Sequence, residues 1–231
     1  MKIGIYGDSF SEPISNLNTK LGDSWVSYLT NKKLFITNYS EVGSSLWISY
    51  RKYLDTHHLY NKCIFLITSE TRFPITDFHI TGPDSIDFLI KNNRIPDTDF
   101  YNDLSMGIKQ IYSRMVYEYM RDIHLGLYRH LITVSPHKTL FLPSFHNEFY
   151  KELNHNCSLF DISSIDLNEF NLTSQTMAIN ENRNCHMNPE NNYILGNKVL
   201  QWILQGNPLS LNINDFVKSK YKKEDLFLSN L

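Results

Sequence analysis

The sequence predicts an α/β fold whose parallel sheet is covered by helices on both faces, and three observations support this. Short apolar runs of strand length recur along the chain, and segments with helical apolar spacing alternate with them. The apolar runs also end in polar, hydroxyl-rich turns, at the strand ends where α/β folds keep their chemistry. With 231 residues, 42% of them hydrophobic and 20% charged, the chain is long enough to bury the core of one large domain.

The first run, Lys2-Ile3-Gly4-Ile5-Tyr6, reads as a buried parallel strand that breaks into Gly7-Asp8-Ser9. By itself this tripeptide is generic, because small polar residues serve turn geometry and helix capping anywhere. After a loop containing Pro13, Asp23 or Ser24 can cap a helix to about Thr30, with Trp25, Tyr28 and Leu29 on its apolar side. A second strand over 34–38 ends in Tyr39-Ser40-Glu41-Val42-Gly43. Leu46, Trp47, Tyr50, Tyr53 and Leu54 then mark the packed face of a helix to about Leu59. The third strand, Cys63–Ile67, is apolar throughout and therefore central. It runs into Thr68-Ser69-Glu70-Thr71-Arg72.

Residues 73–102 are irregular, with Pro74, Pro83 and Pro96, and form an insertion that could be a lid, a binding loop or a plain excursion. From Asp103 to about His130, the spacing of Ile108, Ile111, Tyr112, Met115, Tyr119, Ile123 and Leu127 predicts a single long amphipathic helix. Residues 139–143 are the fourth strand and 158–162 the fifth, with short helices over 147–153 and about 166–170. Pro189 suits the first turn of a last long helix carrying Tyr193, Leu195, Val199, Leu200 and Ile203. Residues 1–206 thus read as the domain and 207–231 as an extension packed on it or trailing from it.

Composition narrows the function. A net charge of −2 gives no global electrostatic footprint for nucleic acid or an anionic membrane, and the basic cluster at 218–223 is too short to argue for either. The three cysteines, Cys63, Cys157 and Cys185, form no CxxC pair, and an odd number suggests reduced thiols. Neither a signal peptide nor a membrane span is visible, so the expectation is a protein cytoplasmic at synthesis. His137, His146 and His155 lack metal-ligand spacing, so neither metal nor cofactor is predicted.

Ser9, the Gly43 turn, the 68–72 turn and the loop around His186 converge in principle at one sheet edge. Acyl transfer needs a nucleophilic hydroxyl, a base within reach and donors aimed at an oxyanion, and each has a candidate there.

Gly7-Asp8-Ser9, Asn38-Tyr39-Ser40-Glu41-Val42-Gly43 and His186 before a terminal helix resemble, in order and strand context, blocks I, II and V of the SGNH (GDSL-type) hydrolases. The resemblance spans residues 2 to about 205. It implies a three-layer α/β/α sandwich with five parallel strands in the order 2-1-3-4-5. It also implies Ser9 as nucleophile, His186 as base, and the backbone N–H groups of Ser9 and Gly43 as oxyanion donors. Two blocks depart from the pattern. Where the family has Gly-x-Asn-Asp, this chain has Thr68 at the Gly and Glu70 at the Asn, and a carboxylate facing an oxyanion would oppose catalysis. A hydroxyl of Thr68, Ser69 or Thr71 would then replace the Asn, with Glu70 turned away, for instance onto Arg72. Arg183 stands where the family has the acid that orients the histidine, and Glu181 and Asp161 are substitutes without positional support. Asp8, Glu70 and Arg72 are candidate substrate-binding residues. The expected activity is hydrolysis of a small-molecule or carbohydrate ester, an O-acetyl ester among the candidates, through an acyl-serine. The rival is a degenerate domain serving as a binding or structural module. Sequence leaves the oligomeric state open.

Overall fold

The computed structural model describes residues 1–11, 24–41, 43–68, 72, 85–91, 95–114, 117–134, 139–144, 187 and 189–217. Four parallel strands, β1 (Lys2–Tyr6), β2 (Phe35–Asn38), β3 (Lys62–Ile67) and β4 (Thr139–Pro143), form a sheet in the order β2-β1-β3-β4. This is the expected order as far as it extends. The sheet therefore has four strands among the described residues, where five were expected; the fifth, at 158–162, lies outside them.

Side chains alternate across each strand, and the apolar ones divide between two clusters. Ile3, Ile5, Ile64, Leu66, Leu140 and Leu142 pack on one face with α1 (Trp25–Thr30) and α6 (Pro189–Gln205). Tyr6, Cys63, Phe65, Ile67 and Phe141 pack on the other with α2 (Leu46–Thr56) and α5 (Tyr117–Val134). Helices on both faces make three layers. They also explain why β1, β3 and β4 are buried on both faces beyond Lys2 and Lys62, whereas the edge strand β2 leaves Phe35 exposed.

Ser24 is the residue that caps α1, its hydroxyl accepting from the Ser27 N–H over 3.1 Å. The long helix expected from Asp103 to His130 is instead two helices, α4 (Asp99–Arg114) and α5, and each buries a different stripe. In α4, Ile108 joins Ile86 of α3 (Ser85–Lys91) in a small separate cluster. In α5 the buried positions are Met120, His124, Tyr128 and Leu131. At about 100° per residue, Ile108 and Met120 are out of phase by about 120°, so one straight helix cannot serve both stripes. Ile111 and Tyr119, placed on the packed face by the sequence pattern, are accordingly exposed. Trp47 of α2 is likewise 42% exposed and stacks on Tyr50, while Ser49 takes an interior position.

After α6, Gly206 adopts a left-handed φ of 76° and its N–H returns to the Trp202 carbonyl over 2.8 Å, a helix-ending turn. Leu209, Leu211 and Phe216 then fold back into the first cluster.

Candidate functional site

The chain winds from β1 through α1 to β2 on one face, and from β2 through α2 to β3 on the other. The winding reverses between β1 and β3, and the crevice beyond their carboxyl ends is where such sheets bind ligands. The Gly7-Asp8-Ser9 turn and Thr68, the residue that follows β3, leave the sheet there.

Gly7 lets the turn form. A Cβ at this position would lie 2.5 Å from Leu66 Cβ on the neighbouring strand, so only glycine fits against β3. The Gly7 carbonyl then accepts from the Glu41 N–H over 3.2 Å and from the Ser49 hydroxyl over 3.3 Å, which draws the turn after β2 and the helix α2 against it. Asn38 joins the two turns from the side: its Nδ2 donates to the Ser11 carbonyl over 2.6 Å and its Oδ1 accepts from the Ser40 N–H over 3.0 Å. Gly43 has a left-handed φ of 74°, a conformation that glycine adopts without strain. The second turn therefore abuts the first through backbone bonds, and Gly43 lies within it.

Asp8 is fully buried, and its carboxylate is satisfied on both oxygens. Oδ1 accepts from the Phe10 N–H over 3.1 Å and from the Ser144 hydroxyl over 3.3 Å, and Oδ2 accepts from Arg72 Nη1 over 3.0 Å. Arg72 Nη1 also donates to Thr68 Oγ1 over 2.9 Å. A buried carboxylate needs this compensation, because an unpaired charge in the interior costs several kcal/mol. The ion pair crosses from the tip of β1 to the segment after β3, and Ser144 brings in the tip of β4. Thr68 Oγ1 thus accepts from Arg72, and its O–H is the one proton this hydroxyl has to donate.

Of the candidate residues, Asp8, Ser9, Thr68 and Arg72 thus gather at the tips of β1 and β3, with Gly43 in the adjoining turn. Ser9 is buried, with 6% of its surface exposed. His186, Ser69, Glu70 and Thr71 lie outside the described residues, as do Arg183, Glu181 and Asp161. The residue after His186 is described. Met187 shares a cluster with Phe10, the residue after Ser9. Its carbonyl accepts from Asn192 Nδ2 over 2.9 Å, Asn192 Oδ1 accepts from the Trp25 N–H over 3.1 Å, and Trp25 Nε1 donates to the Phe10 carbonyl over 2.7 Å.

Two participants were not singled out from sequence. Ser144 follows β4, and its position directly after a strand is the signal that could have marked it. His124 sits buried on the face of α5 that also carries Tyr128, whose hydroxyl donates to the Thr68 carbonyl over 3.5 Å, and burial pushes the imidazole down to about 4. No group of three or more metal-ligating side chains occurs among the described residues, and none of their helices is long and apolar enough to cross a membrane.

No protein-family model matches the chain, and no curated protein matches it. Among solved structures, it is similar to the psychrotrophic esterase EstA from Pseudoalteromonas sp., in a structure inhibited by monoethylphosphonate. The two share 12% identity over 89% of this chain and 97% of that one, at a TM-score of 0.42. A protein described as a GDSL-like lipase from Parabacteroides merdae shares 11% identity over 89% and 95% of the two chains, at 0.42. LAE5, an α/β hydrolase enzyme from the metagenome of Lake Arreo, Spain, shares 14% identity over 86% and 93%, at 0.35. These overlaps are loose, and the functional reading rests on the strand-tip residues.

Proposed function

We propose that the chain is a serine hydrolase that cleaves an ester, with Ser9 as nucleophile and His186 as general base. The observation that carries this reading is the relay from Phe10 through Trp25 and Asn192 to Met187, which ties the backbone after Ser9 to the backbone after His186. In the first half-reaction Ser9 Oγ attacks the ester carbonyl and its proton passes to His186. The C–O bond to the alcohol breaks as His186 returns that proton to the leaving oxygen. Water, deprotonated by His186, then attacks the acyl-serine and releases the acid, and Ser9 regains its proton. The oxyanion formed in each half is met by the N–H groups of Ser9 and Gly43 and by the Thr68 hydroxyl, which takes the place of the family's Asn. Asp8, expected at the substrate, works from inside: buried and fully bonded, it holds the turn and anchors Arg72. Arg72 in turn orients Thr68.

An acetyl ester of a carbohydrate is the proposed substrate class. Hydrolysis of p-nitrophenyl acetate against a long-chain p-nitrophenyl ester checks the acyl preference, with Ser9→Ala and His186→Ala as controls. Turnover of the acetyl ester that both substitutions abolish is the expected result. Turnover indifferent to both would sink the assignment. Replacing Thr68 by Val, which keeps the shape and removes the proton, should lower kcat by about 10²-fold, as loss of one oxyanion donor does elsewhere.

A further inference from the structure

Among the described residues β2 is an edge strand, so the turn that follows it is held from the β1 side. The ladder between the two strands runs out where the Tyr39 N–H donates to the Ile5 carbonyl over 2.8 Å. Beyond it both chains enter four-residue turns. The Ser11 N–H returns to the Asp8 carbonyl over 3.1 Å, with Ser9 at the second position of that turn. The Ser44 N–H returns to the Glu41 carbonyl over 3.0 Å, with Gly43 at the third, where a left-handed φ belongs. Asn38 is the last residue of β2 and stands opposite Ile5, so its backbone is fixed to the sheet. From there one amide serves both turns. Nδ2 donates over 2.6 Å to the Ser11 carbonyl, which ends the first turn, and Oδ1 accepts over 3.0 Å from the Ser40 N–H, just before the second. The partners, a carbonyl and an N–H, settle which amide atom faces which, and a carboxylate, with acceptors alone, could not serve both. The Ser11 and Ser40 hydroxyls also meet, 2.6 Å apart.

We infer that Asn38 is a positioning residue for the oxyanion hole: its amide sets how far apart the two turns stand, and with them the N–H groups of Ser9 and Gly43. Its effect on turnover rests on the hydrolase reading above; its effect on the turns does not. Backbone donors stabilise an oxyanion when they are already fixed about 2.7–3.1 Å from its position, and a misplacement of about 1 Å costs on the order of 10²-fold in rate. The first turn has its own support in Asp8, whose carboxylate accepts from the Phe10 N–H and whose carbonyl closes the turn. The second turn is the one that loss of the amide releases, so Gly43 moves while Ser9 keeps its place.

Two variants separate this role from simple packing. At neutral pH Asn38→Asp keeps the shape and an acceptor for the Ser40 N–H but has no proton for the Ser11 carbonyl, and Asn38→Leu has neither. With p-nitrophenyl acetate both should lose at least about tenfold in kcat, with KM within about twofold. The Ki of phenylboronic acid, whose tetrahedral serine adduct puts an oxygen among the same donors, should rise by the same factor. A variant that is merely less folded loses active sites in proportion and leaves the Ki of the rest unchanged. Wild-type kcat in either variant, or a lowered kcat with a wild-type Ki, overturns the inference. Crystal structures of the variants decide it independently of turnover. The Gly43 nitrogen should shift by about 1 Å relative to the Ser9 nitrogen, and an unmoved pair refutes the role. Should Asn38→Leu not fold, Asn38→Ala replaces it. Absence of Ser9-dependent turnover in the wild type would remove the hydrolase reading alone, with the crystallographic comparison still deciding on Asn38.

Discussion

A carboxylate with none of its surface exposed has to be neutralised where it stands, and Asp8 is neutralised from the neighbouring strand tip. Truncating it to Ala would take this buried carboxylate away from the Arg72 guanidinium, whose side chain is only 17% exposed. Urea unfolding of Asp8→Ala should show a loss of roughly 3 kcal/mol, with Asp8→Asn losing less because it keeps an acceptor. His124 sets a pH dependence of the opposite origin. Its folded pKa lies well below the ordinary histidine value, so the unfolded chain binds more protons between the two. Its share of stability is complete above about pH 6.5 and is lost as pH falls toward 4, reaching about 3 kcal/mol. His124→Gln should flatten that part of the acid-unfolding curve, and an unchanged curve would contradict the burial of an uncharged ring. Ser9 and Gly43 were legible in the sequence because each sits where a strand breaks into a turn. The partner of Arg72 was not, since Asp8 lies 64 positions away and Glu70 stands closer in sequence.

The elements show why His124 escaped notice. The apolar pattern over 103–130 forms one continuous stripe through Tyr119, Ile123 and Leu127, whereas α5 buries the neighbouring positions Met120, His124 and Tyr128. A one-residue phase error turns a helix by about 100°, enough to exchange interior for surface. Substitution by Lys at Ile111 or Tyr119, both exposed, should therefore change stability by no more than about 0.5 kcal/mol in denaturant unfolding. Tyr128→Ala, at a fully buried position, should cost about 3–5 kcal/mol. The strands were far more legible, because β1, β3 and β4 are apolar on both faces and break sharply. α3 was not foreseen: seven residues among prolines and polar side chains give too short a period to read.

At the scale of the molecule, two apolar clusters clamp one parallel sheet, and the turn after β1 is joined at its carboxyl edge by hydrogen bonds from α2 and from residues that follow β3 and β4. Alternation of strand and helix was enough to foresee this architecture, since parallel strands require crossovers and crossovers cover both faces. The segment after α6 also closes the first cluster through Leu209, Leu211 and Phe216, so Phe216→Ala should lower stability by about 3 kcal/mol. The same architecture would serve a binding module as well as an enzyme, and the reactivity of one hydroxyl separates them. Fluorophosphonate labelling read by intact mass and peptide mapping tests this most directly. An activated serine predicts a single phosphonyl adduct on Ser9 that is absent from folded Ser9→Ala; a folded wild-type chain that stays unlabelled at Ser9 would contradict it.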